Sequence, residues 1–168
     1  MILRPVERTD QELIVEWLAQ RDNYQWLDFG SGNQSMTPVL FQLMLRRESN
    51  IYRVFTSAVS DVPIGLVALS DVSRNFRTAM LWYVLGEKRF AGQGYTTRAV
   101  ARMLALAFGE LQLWAVNAWA VSANLASIRV LERNNFRLIG RQRQCHCLHG
   151  ETFDRLLFDL LASEHQAA

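Results

Sequence analysis

At Leu85 an apolar stretch ends, the run Arg89-Phe90-Ala91-Gly92-Gln93-Gly94 follows, and an Ala-rich apolar stretch begins at Tyr95. A strand that passes through two glycines into a helix brings backbone amides and the positive end of a helix dipole to one point. That arrangement suits a phosphate or pyrophosphate. The same six residues also describe an ordinary strand-to-helix turn, so their meaning depends on the order of elements on either side.

On the upstream side, Ile51 to Val59 and Ile64 to Ser70 read as strands parted by the turn Ser60-Asp61-Val62-Pro63, and Met80 to Leu85 reads as a third. The glycine loop therefore closes a meander of three antiparallel strands. Downstream, the spacing predicts a helix over Tyr95 to Phe108, a strand over Leu113 to Val121 and a helix over Asn124 to Asn134, a succession that implies parallel pairing across the crossover. Phe136 to Cys147 and Thr152 to Leu161 form a closing hairpin around His149-Gly150. Before the meander, Ile2 to Pro5 is a short edge strand, because Pro5 cannot donate to a ladder. A helix capped by Thr9 or Asp10 carries the apolar stripe Leu13, Ile14, Trp17 and Leu18. Arg21 to Thr37 is an irregular connection whose aromatics either line a pocket or pack on the core, and Thr37-Pro38 opens a second helix running to about Glu48.

The chain of 168 residues is half apolar, which fits one domain over residues 1–168. Its net charge of +2 is too balanced to argue for nucleic acid. Eight basic residues face nine acidic ones through Val84, and ten face seven after it, so the second half is mildly electropositive, as a phosphorylated ligand would favour. Cys145 and Cys147 flank one residue, too close for a disulfide framework, and point to a reducing, cytoplasmic setting. No membrane association is expected, since no run reaches about 18 apolar residues. No metal is expected either: the spacing of Cys145, His146, Cys147 and His149 fits no common zinc pattern, and on a strand the two cysteines share one face while His146 points away. Trp82, Trp114 and Trp119 lie in apolar strands without interleaved basic residues, which reads as core or as a homodimer interface rather than a stacking platform for bases.

The meander, the Arg-x-x-Gly-x-Gly loop, the helix, the next strand and then Asn124-Leu125-Ala126-Ser127 opening another helix together resemble the GNAT superfamily of acyl-CoA-dependent N-acetyltransferases. Arg133-Asn134-Asn135-Phe136-Arg137-Leu138, His149-Gly150 and Phe153-Asp154 resemble its Rim-type branch, the ribosomal-protein alanine N-acetyltransferases and their relatives. The resemblance spans nearly the whole chain, is tightest from Leu81 to Leu161, and is one of layout only before Ile51. It implies an α+β fold with a mixed, mostly antiparallel central sheet of about seven strands flanked by about four helices.

The resemblance further implies acetyl-CoA as acyl donor and no metal. The amides of Phe90, Ala91, Gly92, Gln93, Gly94, Tyr95 and Thr96 would hold the pyrophosphate, with Arg89 or Arg98 adding charge. Trp82, Val84 and Leu85 would face the pantetheine arm, an amide near Val84 or Leu85 would polarise the thioester carbonyl, and Asn124 would cap its helix or bond the arm. Many members place a proton-donating tyrosine where this chain has Leu131; the Rim-type branch uses the serine of Asn-x-x-Ser, here Ser127. The branch's usual base is a glutamate on the next strand, and His146 stands at that spacing, with Asp71 or a water relay as alternatives. The acceptor is a primary amine, on a protein or peptide N-terminus or on a small amine such as an amino acid, amino sugar or polyamine. Asp28 and Glu48 could attract a cationic one. The alternative is a catalytically degenerate acyl-CoA-binding sensor or interaction module, with Leu131 and His146 as relics.

Overall fold

Pro63–Ser73 is apolar without alternation through its first seven residues and is buried on both faces. Val67 and Leu69 turn to one layer of core, Leu66 and Ala68 to the other. A strand of this texture belongs at the centre of a sheet covered by helices on both sides. The computed structural model describes residues 1–30, 36–57 and 60–165 and has that arrangement. Its strands are β1 (Leu3–Pro5), β2 (Ile51–Thr56), β3 (Pro63–Ser73), β4 (Thr78–Leu85), β5 (Ala115–Val121), β6 (Arg137–Leu148) and β7 (Glu151–Leu161). They form one sheet in the order β1-β2-β3-β4-β5-β7-β6. All neighbours are antiparallel except β4 and β5, which are parallel, as the crossover between them requires.

The helices are α1 (Gln11–Ala19), α2 (Arg21–Tyr24), α3 (Pro38–Leu45), α4 (Tyr95–Ala105) and α5 (Leu125–Arg133). Ile14, Trp17, Leu18 and Phe41 from α1 and α3 pack on one face of the sheet; Ala99, Val100, Met103 and Leu131 from α4 and α5 pack on the other. Among the described residues five α-helices stand where about four were expected, because the stretch expected to be irregular from Arg21 contains the single turn α2. Residues 31–35 of that connection, and Val59 at the expected end of the second strand, lie outside the described residues.

Other boundaries differ for identifiable reasons. Thr37 caps α3 as expected, its hydroxyl accepting from the Leu40 amide at 3.2 Å, but the helix ends at Leu45 rather than near Glu48. Asp10 does not cap α1 with its side chain, because its carboxylate takes two bonds from Arg4 at 2.7 and 2.9 Å and one from the Glu7 amide at 2.8 Å. The helix expected to reach Phe108 is α4 only to Ala105, then widens into a π turn over Leu106–Glu110. Trp114 is not core: it is 60% exposed, with the Arg77 guanidinium 4.8 Å above its ring. No helix among the described residues is long and apolar enough to cross a membrane.

One feature of the sheet creates the site. The pairing of β4 with β5 covers Thr78–Met80 against Ala115–Asn117 and stops. Beyond it β4 follows β3 up to Leu85, opposite Gly65, while β5 follows β7 up to Val121, opposite Arg155, so the two strands part. The far end of β4 is held from below by α1: a Cβ at Gly86 would lie 2.0 Å from a ring carbon of Trp17, so only glycine admits this contact. Gly86→Ala is expected to destabilise the protein by about 1–3 kcal/mol through overpacking against Trp17, measured by urea unfolding.

Candidate active site

The gap between β4 and β5 opens into a cleft of about 490 Å³. Its walls are the parted strands, its mouth on one side is the glycine loop with the start of α4, and α5 and the segment around α2 close the others. Gly92 and Gly94 both have left-handed backbones, φ +76° and +74°, which a side chain would disfavour by about 1–2 kcal/mol per residue. Gly94 is the N-cap of α4 and offers no side chain to its first-turn amides. That first turn, through Tyr95, Thr96 and Thr97, lines the cleft.

Of the residues singled out from the sequence, Trp82, Val84, Leu85, Phe90, Ala91, Gly92, Gly94, Tyr95, Thr96, Asn124 and Ser127 line this one cleft. Arg89, Gln93 and His146 are not among its walls. Arg89 is directed outward, 3.6 Å from Glu87 and stacked on the Phe90 ring at 5.1 Å, and the Gln93 amide folds back to donate to the Arg89 carbonyl at 3.1 Å. Arg98 is likewise turned onto the loop, donating to the Gln93 carbonyl at 3.2 Å. The cations that do line the cleft are Lys88, Arg129 and Arg133, and the one carboxylate among its described walls is Asp22. Sequence reasoning missed these, although Ala126, Arg129, Val130 and Arg133 recur at i, i+3, i+4 and i+7, the spacing of one helix face. Trp82 and Trp119 are walls of the cleft, and Trp82 also packs against the core beside Tyr52.

Lys88 donates to the Leu85 carbonyl at 2.8 Å and to the Asn23 side-chain oxygen, while the Asn23 amide donates to the Trp17 carbonyl at 2.8 Å. Burial holds the Lys88 ammonium below its ordinary pKa, with Asp22 pulling the other way.

Asn124 caps α5 as expected: its side-chain oxygen accepts from the Ser127 amide at 3.1 Å. This fixes Ser127 in the first turn of α5. Its hydroxyl lies 2.8 Å from the Tyr83 hydroxyl, which also lies 2.9 Å from the Ser127 carbonyl. The residue from β4 thus bridges the cleft to α5, a pairing the sequence did not announce. Burial pushes the Tyr83 phenol well above its ordinary range, so it keeps its proton and remains a donor. Leu131, at the position of the family's tyrosine, is fully buried in the core.

His146 sits elsewhere, 3% exposed, in a network that joins β6 and β7 to the segment after α2. Its Nε2–H donates to the Gln25 carbonyl at 2.7 Å, which makes Nδ1 the acceptor, and Arg155 approaches Nδ1 at 3.2 Å. Arg155 also pairs with Asp28 at 2.9 Å and lies 4.3 Å above the Trp119 ring. Burial depresses the imidazole pKa, the Gln25 bond opposes this and Arg155 adds to it. A lone pair facing a guanidinium away from the cleft walls does not fit the general base expected at this position. Asp71, the alternative, is exposed on β3 and is not a wall either. Cys145 and Cys147 are both exposed while His146 is buried, as strand alternation requires, and no three metal-ligating side chains gather among the described residues.

Residues 1–137 match the sequence profile of the acetyltransferase (GNAT) domain. The chain is 31% identical over 122 residues to "Probable N-acetyltransferase YjcK" of Bacillus subtilis, covering 72% of this chain and 67% of that one. Its fold is similar to spermidine N-acetyltransferase from Vibrio cholerae in complex with CoA and spermine, with a TM-score of 0.85, 18% identity, and coverage of 97% and 96% of the two chains. It is also similar to Mycobacterium smegmatis RimJ in complex with CoA-disulfide, with a TM-score of 0.78, 22% identity, and coverage of 96% and 82%. Tyr83→Phe keeps the buried ring and removes the hydroxyl that meets Ser127; a loss of about 1 kcal/mol in thermal or urea unfolding is the expected result.

Proposed function

The chain belongs to the GNAT acetyltransferase family, and from that premise we propose that it acetylates a single primary amine, such as the N-terminus of a protein or peptide, in the cleft between β4 and β5. Acetyl-CoA supplies the activated acetyl group. The observation that carries the reading is the Ser127 hydroxyl, held at 2.8 Å by Tyr83 and lying in the same cleft as the glycine loop.

The residues present suit such a donor. Two left-handed glycines, an uncapped helix start and three cations on the walls against one carboxylate form a surroundings for phosphate groups. The edge of β4 that β5 leaves unpaired, Leu81–Leu85, offers backbone groups to an amide-bearing arm. In the reaction the amine nitrogen attacks the thioester carbonyl carbon and the carbon–sulfur bond breaks. The departing sulfur takes the Ser127 hydroxyl proton, and the surplus proton of the amine leaves through water, which reprotonates Ser127. Tyr83 orients that hydroxyl.

On the acceptor side, Trp26, Leu27 and Trp119 form an apolar wall and Asp22 is its one described carboxylate. A polyamine would bring several ammonium groups to a single opposing charge, whereas a lone amine beside an apolar group matches both features. The test is a panel of peptides, amino acids, amino sugars and polyamines with acetyl-CoA, following release of free CoA thiol. Acceptor-dependent release with a peptide or other monoamine is expected, and faster turnover of spermidine would overturn the acceptor assignment. Ser127→Ala should lower kcat by about a hundredfold with little change in CoA affinity. Gly94→Val should weaken CoA binding about tenfold in a calorimetric titration, because a β-branched residue opposes the left-handed backbone of the loop.

A further inference from the structure

The network around His146 is larger than a buried histidine needs. It draws on β5 through Trp119, β6 through His146, β7 through Arg155, and the segment after α2 through Gln25 and Asp28. Its partners are remote in the chain, 121 positions for His146 and Gln25 and 127 for Arg155 and Asp28. The β6–β7 register shifts between Gln142 and His146, where Gln144 has φ +50° and its amide donates to Asp154 at 2.9 Å. A bulge of this kind re-aims the side chains that follow it, here turning His146 inward between exposed Cys145 and Cys147.

Between Gln25 and Asp28 lie Trp26 and Leu27, both walls of the cleft, and Trp119 under Arg155 is a third. We propose that His146 is a positioning residue for the acceptor wall: its neutral ring, gripping the Gln25 carbonyl through Nε2 and Arg155 through Nδ1, latches residues 25–28 against the sheet, and protonation opens the latch. The acceptor role of this wall rests on the function proposed above; the latch itself does not.

The groups facing the ring decide the response to pH. Among the described residues they include the Gln25 carbonyl and Asp28 from the segment after α2, Arg155 from β7 and the uncharged Trp119 ring from β5. A proton on Nδ1 would replace an accepted hydrogen bond by a contact between two cations. Because burial depresses the ring's pKa in the folded protein, the latch is whole above the ordinary imidazole value of about 6.5 and weakens as the pH falls below it. His149 meets Arg21 of α2 separately at the β6–β7 turn and serves as a control.

Amide hydrogen exchange of residues 25–28, corrected for intrinsic chemistry, tests this at about pH 7.5 and about pH 5.5. In the wild type, protection should fall about tenfold at the lower pH. His146→Gln, which offers a donor and an acceptor but does not titrate, should hold its protection at both. His149→Gln should respond as the wild type does. With the acceptor that the panel identifies, the wild type's acceptor KM should rise relative to that of His146→Gln over the same range, with CoA affinity unchanged. The acceptor's own ionisation affects both proteins alike, so their ratio is the readout. Equal protection at both pH values in the wild type, or a pH response abolished by His149→Gln, would overturn the proposal. So would loss of kcat in His146→Gln with protection intact, which would make His146 the base. If no acceptor is turned over, the functional reading fails while the exchange data still decide the latch.

Discussion

Three residue pairs, Thr78–Met80 against Ala115–Asn117, hold β4 to β5, and the cleft exists because the pairing stops there. A sheet that continued would satisfy both edges and leave no opening. Each strand instead keeps a full partner on its other side, β3 for β4 and β7 for β5, so the parting sacrifices little hydrogen bonding within the sheet. The facing edges retain backbone groups that must be answered by water or by a ligand. Helix α4, running back from the far end of β4, places the glycine loop at the opening, and α5 places Ser127 across it from Tyr83.

The two sides of the cleft are built from different kinds of contact. The side proposed for the donor is local: the left-handed glycines sit within the loop, α4 begins at the next residue, and Asn124 caps the turn that carries Ser127 three positions later. The side proposed for the acceptor is assembled from far apart in the chain, with α2 and residues 25–28 held to β6 and β7 by the Asp28–Arg155 pair and the Gln25–His146 bond, and to the loop by Asn23 and Lys88. The glycine-loop side of the cleft is therefore set by short-range rules, and the opposite side by tertiary contacts.

The same division explains what could be read from the sequence. The glycine loop, the Asn124 cap, the parallel crossover and the closing hairpin all follow from spacing and turn chemistry, and all are present. Tyr83 was legible only as part of a strand, because its partner lies 44 positions away. Arg89 was read as facing the phosphate site, but it sits in the middle of a 3₁₀ turn, Lys88–Phe90, where successive side chains point about 120° apart, so that Lys88 faces the cleft and Arg89 faces away. The resemblance implied a base at His146, where the branch has a glutamate. Period-2 alternation correctly set it opposite Cys145 and Cys147, yet alternation carries no information about Arg155 and Gln25, which occupy both of its nitrogens.

The most direct measurement of the central claim is a crystal structure of the protein with CoA. The pyrophosphate is expected against the amides from Gly92 to Thr96, the pantetheine arm along Leu81–Leu85, and the sulfur within hydrogen-bond reach of the Ser127 Oγ. CoA bound with its sulfur outside the parting of β4 and β5, or with its pyrophosphate away from the glycine loop, would contradict it.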